Sequence, residues 1–136
     1  MSQPNTITLS VDTLNDGTTV VDEVYTRYED YPTRSIYIGE DHSVNDGRET
    51  LTFYRTEPKV SGNYRGSAKV SYKFTKDFAV DGADGVSSIV APFIAEVKFS
   101  IPVGVASADA LLVRQRLVSL TDLDSVKTPL FGQLMI

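Results

Sequence analysis

The residues best placed to do chemistry stand at alternate positions: Arg65, Ser67, Lys69, Ser71 and Lys73. Tyr64, Gly66, Ala68, Val70, Tyr72 and Phe74 lie between them, so the stretch 64–74 has period two. That is the signature of a β-strand with one buried and one wet face. The wet face repeats cation and hydroxyl at steps of roughly 6–7 Å, a mixture suited to phosphate oxygens. Thr52, Tyr54 and Thr56 share one face of an earlier strand, and Glu96 and Lys98 one face of a later strand. A tyrosine such as Tyr54 can stack on an unpaired base. The expectation is a surface that binds a polyanion. A cationic wet face that serves solubility alone is the plain alternative.

Catalysis has little to build on. The single histidine, His42, lies in a polar loop with Asp41, Ser43 and Asn45, where a solvated side chain is expected. The pairs Asp22-Glu23 and Glu29-Asp30 fall in strands, where neighbours point to opposite faces and cannot share a substrate. Asp81 and Asp84 with their glycines lack the spacing of a calcium loop, and no Glu closes it. There is no cysteine, which excludes disulfides, thiolate catalysis and cysteine-bound zinc. No enzyme activity, cofactor or metal is expected.

The chain of 136 residues is the length of one domain, read here as a single unit over 1–136. No apolar run reaches the ~18 residues of a membrane span, and the first residues carry no basic, apolar leader. The net charge of −5 is unevenly spread: residues 1–50 hold 10 acids and 3 bases, residues 51–136 hold 10 bases and 8 acids. Between 55 and 76, Arg55, Lys59, Arg65, Lys69, Lys73 and Lys76 face only Glu57. Such segregation assigns different environments to different surfaces.

The elements that must position these residues follow in order. Thr6–Asp12 alternates and forms a strand; Asn15-Asp16-Gly17 is a hairpin turn, and 18–28 the return strand. Strands follow at 34–39, 49–57, 64–74 and 92–101, with an acidic, glycine-bearing loop over 77–88 of a length that usually carries function. Ser107 reads as the N-cap of a helix over 108–120 with Asp109 in its first turn and an apolar stripe of Leu111, Val113, Leu117 and Leu120. A second helix is expected from about Asp122 or Asp124, bent or reopened at Pro129 and stopped at Gly132. The fold class is α+β: an N-terminal hairpin (1–30), a five-stranded antiparallel sheet (33–101) and two C-terminal helices (107–132) roofing one sheet face. The hairpin is expected to need cover from another subunit, and the apolar tail Leu134-Met135-Ile136 to pack on a partner or the core.

Several strings in this order resemble the coat proteins of levivirus-type single-stranded RNA bacteriophages. They are 51–58 with its closing Pro58, Asn63-Tyr64-Arg65 opening a basic strand, and Ala95-Glu96-Val97-Lys98-Phe99-Ser100. Ser107-Ala108-Asp109-Ala110 with Val113-Arg114, and Gln133-Leu134, complete the set. The resemblance implies an interlocked dimer in which two sheets join edge to edge and helices bearing Leu111, Leu117, Leu120 and Phe131 clasp the partner. It implies that the loop residues Asp81, Gly82, Ala83, Asp84 and Gly85 meet other subunits in an icosahedral shell. The open sheet face would look inward on the single-stranded RNA genome, with Arg65, Ser67 and Glu96 at RNA-contact positions and Ile94 where the family carries a stacking aromatic. Further implied are repression of translation through an RNA operator hairpin, a maturation protein as partner, and residence in a virion assembled in the bacterial cytoplasm. From the residues alone, a free-standing single-strand nucleic-acid-binding module such as an OB-like barrel, and a β-rich assembly or adhesion module, remain open.

Overall fold

β-branched and aromatic residues at alternate positions favour extended chain, and they set out six strands. The computed structural model describes residues 4–14, 16–43 and 47–127. The strands are β1 (Thr6–Asp12), β2 (Val20–Asp30), β3 (Arg34–Ile38), β4 (Glu49–Thr56), β5 (Ser67–Asp81) and β6 (Ser88–Pro102), followed by helix α1 (Ser107–Asp122). All six strands form one antiparallel sheet in the order β1-β2-β3-β4-β5-β6. The expected division into a separate hairpin and a five-stranded sheet is therefore corrected: the hairpin is hydrogen-bonded into the same sheet. The sheet is open, with β1 and β6 at its edges, so no OB-like barrel forms.

The hairpin does not stay in the plane of the sheet. A register shift between Arg27 and Glu29 leaves Tyr28 outside the ladder, and a bulge of this kind bends its strand. On a flat sheet β2 and β5 would stand about 14 Å apart, three strand spacings. Yet the rings of Tyr25 on β2 and Phe74 on β5 meet edge to face with centroids 5.9 Å apart. The Tyr25 hydroxyl also donates to Glu49 Oε1 at 3.0 Å, and burial, then Glu49, pushes the Tyr25 phenol pKa up. The β1–β2 arm thus folds over the apolar face and buries Tyr25 within its own chain, while Val20, Val21 and Tyr28 of the same arm stay exposed.

The core lies beneath this arm. Tyr25, Tyr37 and Leu51 are buried, with Ile7, Leu9, Phe53, Tyr72 and Phe74 packed against them. Tyr37 is wholly buried, and its hydroxyl is satisfied by the Pro4 carbonyl at 2.6 Å. An aromatic ladder crosses the sheet from Tyr37 through Phe53 and Tyr72 to Phe99, with centroids 5.6, 6.2 and 6.1 Å apart. Each such pair adds about 0.5–1.5 kcal/mol beyond area burial.

Two further expectations change. Half of the loop set at 77–88 is strand: the β5–β6 ladder continues from Asp77↔Pro92 to Asp81↔Ser88. Phe78, Val80 and Ile89 keep the alternation going, and only the tip 82–87 turns. At the other end, Tyr64, Arg65 and Gly66 lie outside β5. Gly66 has φ +89°, and a Cβ there would stand 2.4 Å from the Lys59 carbonyl oxygen. The chain turns where period two alone continues the strand.

Helix α1 is capped by the backbone of Ala106 with no side-chain cap, so Ser107 is its first residue and not the N-cap. Asp109 does stand in the first turn. The helix buries no residue; its approach to the sheet is a crevice where Leu117, Val118 and Thr121 face Tyr72 and Val97. The expected roof over the sheet is not supplied by this chain's own helix. A further helical stretch begins at 124–127. Phe131, Pro129, Gly132, the tail 133–136 and the turn residue Asn15 lie outside the described residues.

Candidate nucleic-acid interface

Antiparallel register sets the side chains of the polar face in rungs, since directly paired residues share a face. One rung runs Thr56, Lys69, Ser100; the next Arg34, Tyr54, Ser71, Lys98; the third Ile36, Thr52, Lys73, Glu96. They border a groove of about 540 Å³ lined by Tyr54, Thr56, Lys69, Ser71, Lys73, Glu96, Lys98 and Ser100, among others. Three lysines thus face one acid. Glu96 lies across from Lys73 and 3.6 Å from the Lys98 ammonium, so it orders the cations and offsets part of their charge. Groups held this way can bind the oxygens of a phosphate chain while hydroxyls complete the hydrogen bonds.

Six of the sequence-predicted contact residues meet here: Tyr54, Thr56, Lys69, Lys73, Glu96 and Lys98. Thr52 shares the face but is buried and does not line the groove. Ser67 opens onto a neighbouring recess with Lys59 and Tyr64, its hydroxyl bonded to that of Tyr64 at 2.5 Å. Arg65, off the strand, lies near Gly104 instead. Sequence reasoning passed over Ser100, although it continues the same period as Glu96 and Lys98, and Arg34, whose place on a rung depends on pairing with Tyr54.

The acids and the histidine have structural partners. His42 Nδ1 accepts from the Glu49 backbone N–H at 3.1 Å. Asp22 and Glu23 pair with Ser10 and Leu9 on opposite faces. The Asp30 carboxylate accepts from Ser35, which lowers its pKa most, and from Arg55. At the β5–β6 tip the Asp84 carboxylate accepts from the backbone N–H groups of Ser87 and Val86 and from the Ser87 hydroxyl, which lowers its pKa to about 2. Gly85 takes φ +71° there, and Gly82 and Ser87 close the turn. Asp81 still belongs to the ladder, so the predicted loop residues divide between strand end and tip. Among the described residues no group of three or more acids or histidines could hold a metal, and no helix is long and apolar enough to cross a membrane.

A second set of surfaces is apolar and open. Phe78, Val80, Ile89 and Phe93 stand about half exposed where the β5–β6 ribbon projects beyond β4. Leu111, Leu112, Val113, Val118 and Leu120 of α1 are exposed to a similar degree, with Leu117 half-buried. Among the described residues, the outer edge of β6 has no strand beside it.

No protein-family model matches this chain. No curated protein matches it either. Solved structures do. The virus-like particle of bacteriophage AVE019 superposes with TM-score 0.73 at 19% identity, covering 94% of each chain. The virus-like particle of Wenzhou levi-like virus 4 gives TM-score 0.69 at 19% identity over 93% of this chain and 84% of that one. The virus-like particle of bacteriophage NT-214 gives 0.67 at 16% identity over 97% of each. The chain thus shares its fold with the subunits of these virus-like particles, at only 16–19% sequence identity.

Proposed function

We propose that this chain is a non-enzymatic capsid subunit, which dimerises and then assembles into an icosahedral shell around single-stranded RNA. The observation that carries the reading is the unfinished C-terminal half: among the described residues, a strand edge without a neighbouring strand and a helix that buries none of its side chains. A second copy completes both. Two β6 edges pair, joining two sheets into one, and the exposed apolar residues of each α1 pack against the partner. The fold shared with phage particles supports this arrangement.

The opposite, cationic face then looks toward the RNA. Each subunit contributes only a few ionic contacts, which become strong when many act on one polymer. The β5–β6 tips, residues 81–85, meet other subunits around the symmetry axes. An RNA operator hairpin bound on the same face would repress translation, and a maturation protein would complete a virion assembled in the bacterial cytoplasm.

Size-exclusion chromatography with absorbance at two ultraviolet wavelengths tests this directly. Particles of megadalton size carrying RNA are expected; a small, nucleic-acid-free monomer overturns the reading. Replacing Lys69 and Lys73 together by Ala is expected to lower the packaged RNA while leaving the dimer intact. Unchanged RNA content would remove the lysine face from the RNA site.

A further inference from the structure

Beside the cationic groove lies a second recess of about 530 Å³ lined by Tyr31, Pro32, Thr33, Arg34, Tyr54, Arg55 and Thr56. Tyr54 and Thr56 border both hollows, so the two adjoin. The second has a different chemistry. No carboxylate lines it, and the Arg34 guanidinium lies over the Tyr31 ring, 4.9 Å from its centroid. Tyr31 is 43% exposed, and Tyr54 stands next to Arg34 on the same rung. Two rings and one planar cation are thus gathered at the mouth of a lysine-lined groove.

The turn that presents them is fixed from behind. Tyr31 and Arg34 close it with reciprocal backbone bonds of 2.7 and 3.3 Å. Arg55, reaching from β4, donates to the Tyr31 carbonyl at 2.6 Å and the Pro32 carbonyl at 2.9 Å, and its backbone N–H bonds Thr33. Ser35 and Asp30 hold the same guanidinium at 3.1 and 3.3 Å. An exposed turn rarely has three successive carbonyls tied to one residue. The effect is to preorganise Tyr31 and Arg34, which lowers the ordering cost of binding.

We propose that Tyr31, Arg34 and Tyr54 form a nucleobase-stacking platform at the end of the cationic groove. A segment of single-stranded RNA lays an unpaired base there while its phosphates lie on Lys69, Lys73 and Lys98. Stacking of this kind tolerates any base, because every base has a π-face, and a guanidinium stacks as well as a ring does. The proposal deepens the RNA-binding reading and rests on it.

The test compares two labelled oligomers by fluorescence anisotropy on the full-length chain, stripped of nucleic acid at high salt: a uridine decamer and its abasic counterpart. Tyr31→Ala is expected to weaken uridine binding about tenfold and leave abasic binding unchanged. Arg34→Lys, which keeps charge and loses the plane, is expected to show the same selectivity, and Tyr31→Phe to retain binding. Circular dichroism checks that each variant is folded. Equal effects on both oligomers, or no effect on the uridine oligomer, overturn the platform. The outcomes separate the two claims. If the Lys69→Ala, Lys73→Ala double variant weakens both oligomers while Tyr31→Ala weakens neither, only the platform fails. A wild-type chain that binds neither oligomer overturns the platform and the RNA reading together.

Discussion

Tyr25, Tyr37 and Leu51, on β2, β3 and β4, are buried, whereas Phe78, Ile89, Phe93, Leu111 and Leu120, on β5, β6 and α1, stand about half exposed. The two regions draw on the same apolar residue types. They differ in closure. The first folds an arm over its own sheet face and satisfies its tyrosine hydroxyls internally. The second ends in an open edge and a helix without a bed. Charge divides similarly, since residues 1–50 are strongly acidic and the groove lysines come from later strands. An open apolar surface of this size is one that a partner can cover, and the comparison separates a half that closes on itself from a half that leaves apolar surface open.

The largest expected effects lie in the closed half. Leu51→Ala should cost about 2–5 kcal/mol and Tyr37→Ala about 3–5 kcal/mol, read as a lower midpoint in urea unfolding. Leu111→Ala, on the exposed helix, should stay within about 0.5 kcal/mol for the dissociated chain. Equal costs would erase the contrast. Next comes association: Leu117→Asp with Leu120→Asp should weaken self-association about a hundredfold or more, followed by sedimentation equilibrium, with far-ultraviolet dichroism retained. Gly66→Ala, at the junction of the two regions, should destabilise by about 1–2 kcal/mol or more, because an L-residue is strained at its φ and its Cβ meets Lys59.

The smallest effect is at the β5–β6 tip. Asp84 has its pKa lowered to about 2 by the Ser87 and Val86 N–H groups. A depressed carboxylate contributes stability above its unfolded pKa and loses it as pH falls through the folded value. Protection of the Val86 and Ser87 amides, taken as their exchange rate relative to the unstructured rate at each pH, should therefore fall between about pH 4 and pH 2, and Asp84→Asn should abolish that step. Protection that stays constant across this window would show that the carboxylate does not hold the tip.

Most of the strands were legible because one buried face enforces period two, and the groove followed since its residues alternate in phase. Four features were not. Acid and glycine at 81–85 read as a long loop, though Phe78 and Val80 keep the ladder going almost to them. Arg65 is in phase with Lys69, and only the close passage of the Lys59 backbone against Gly66 takes it off the strand. The folding of the arm depends on one unpaired residue, Tyr28, and on a contact between Tyr25 and Phe74 that no local pattern contains. Arg34 went unnoticed for the same reason: its role lies in its neighbours across the sheet.

The strand order has a kinetic consequence. Each strand pairs with the one made just before it, so the ladders form by short loop closures that are fast and entropically cheap. The contacts of the arm are the exception: Tyr25 reaches Glu49 and Phe74, and Tyr37 reaches Pro4, so the core under the arm cannot close until β5 has been synthesised. On a ribosome, the acidic half would wait as a half-open meander for the basic strand that completes it. The open apolar surfaces emerge later still, on β6 and α1. Folding of the core would thus run ahead of any association through them, ordered by position along the chain.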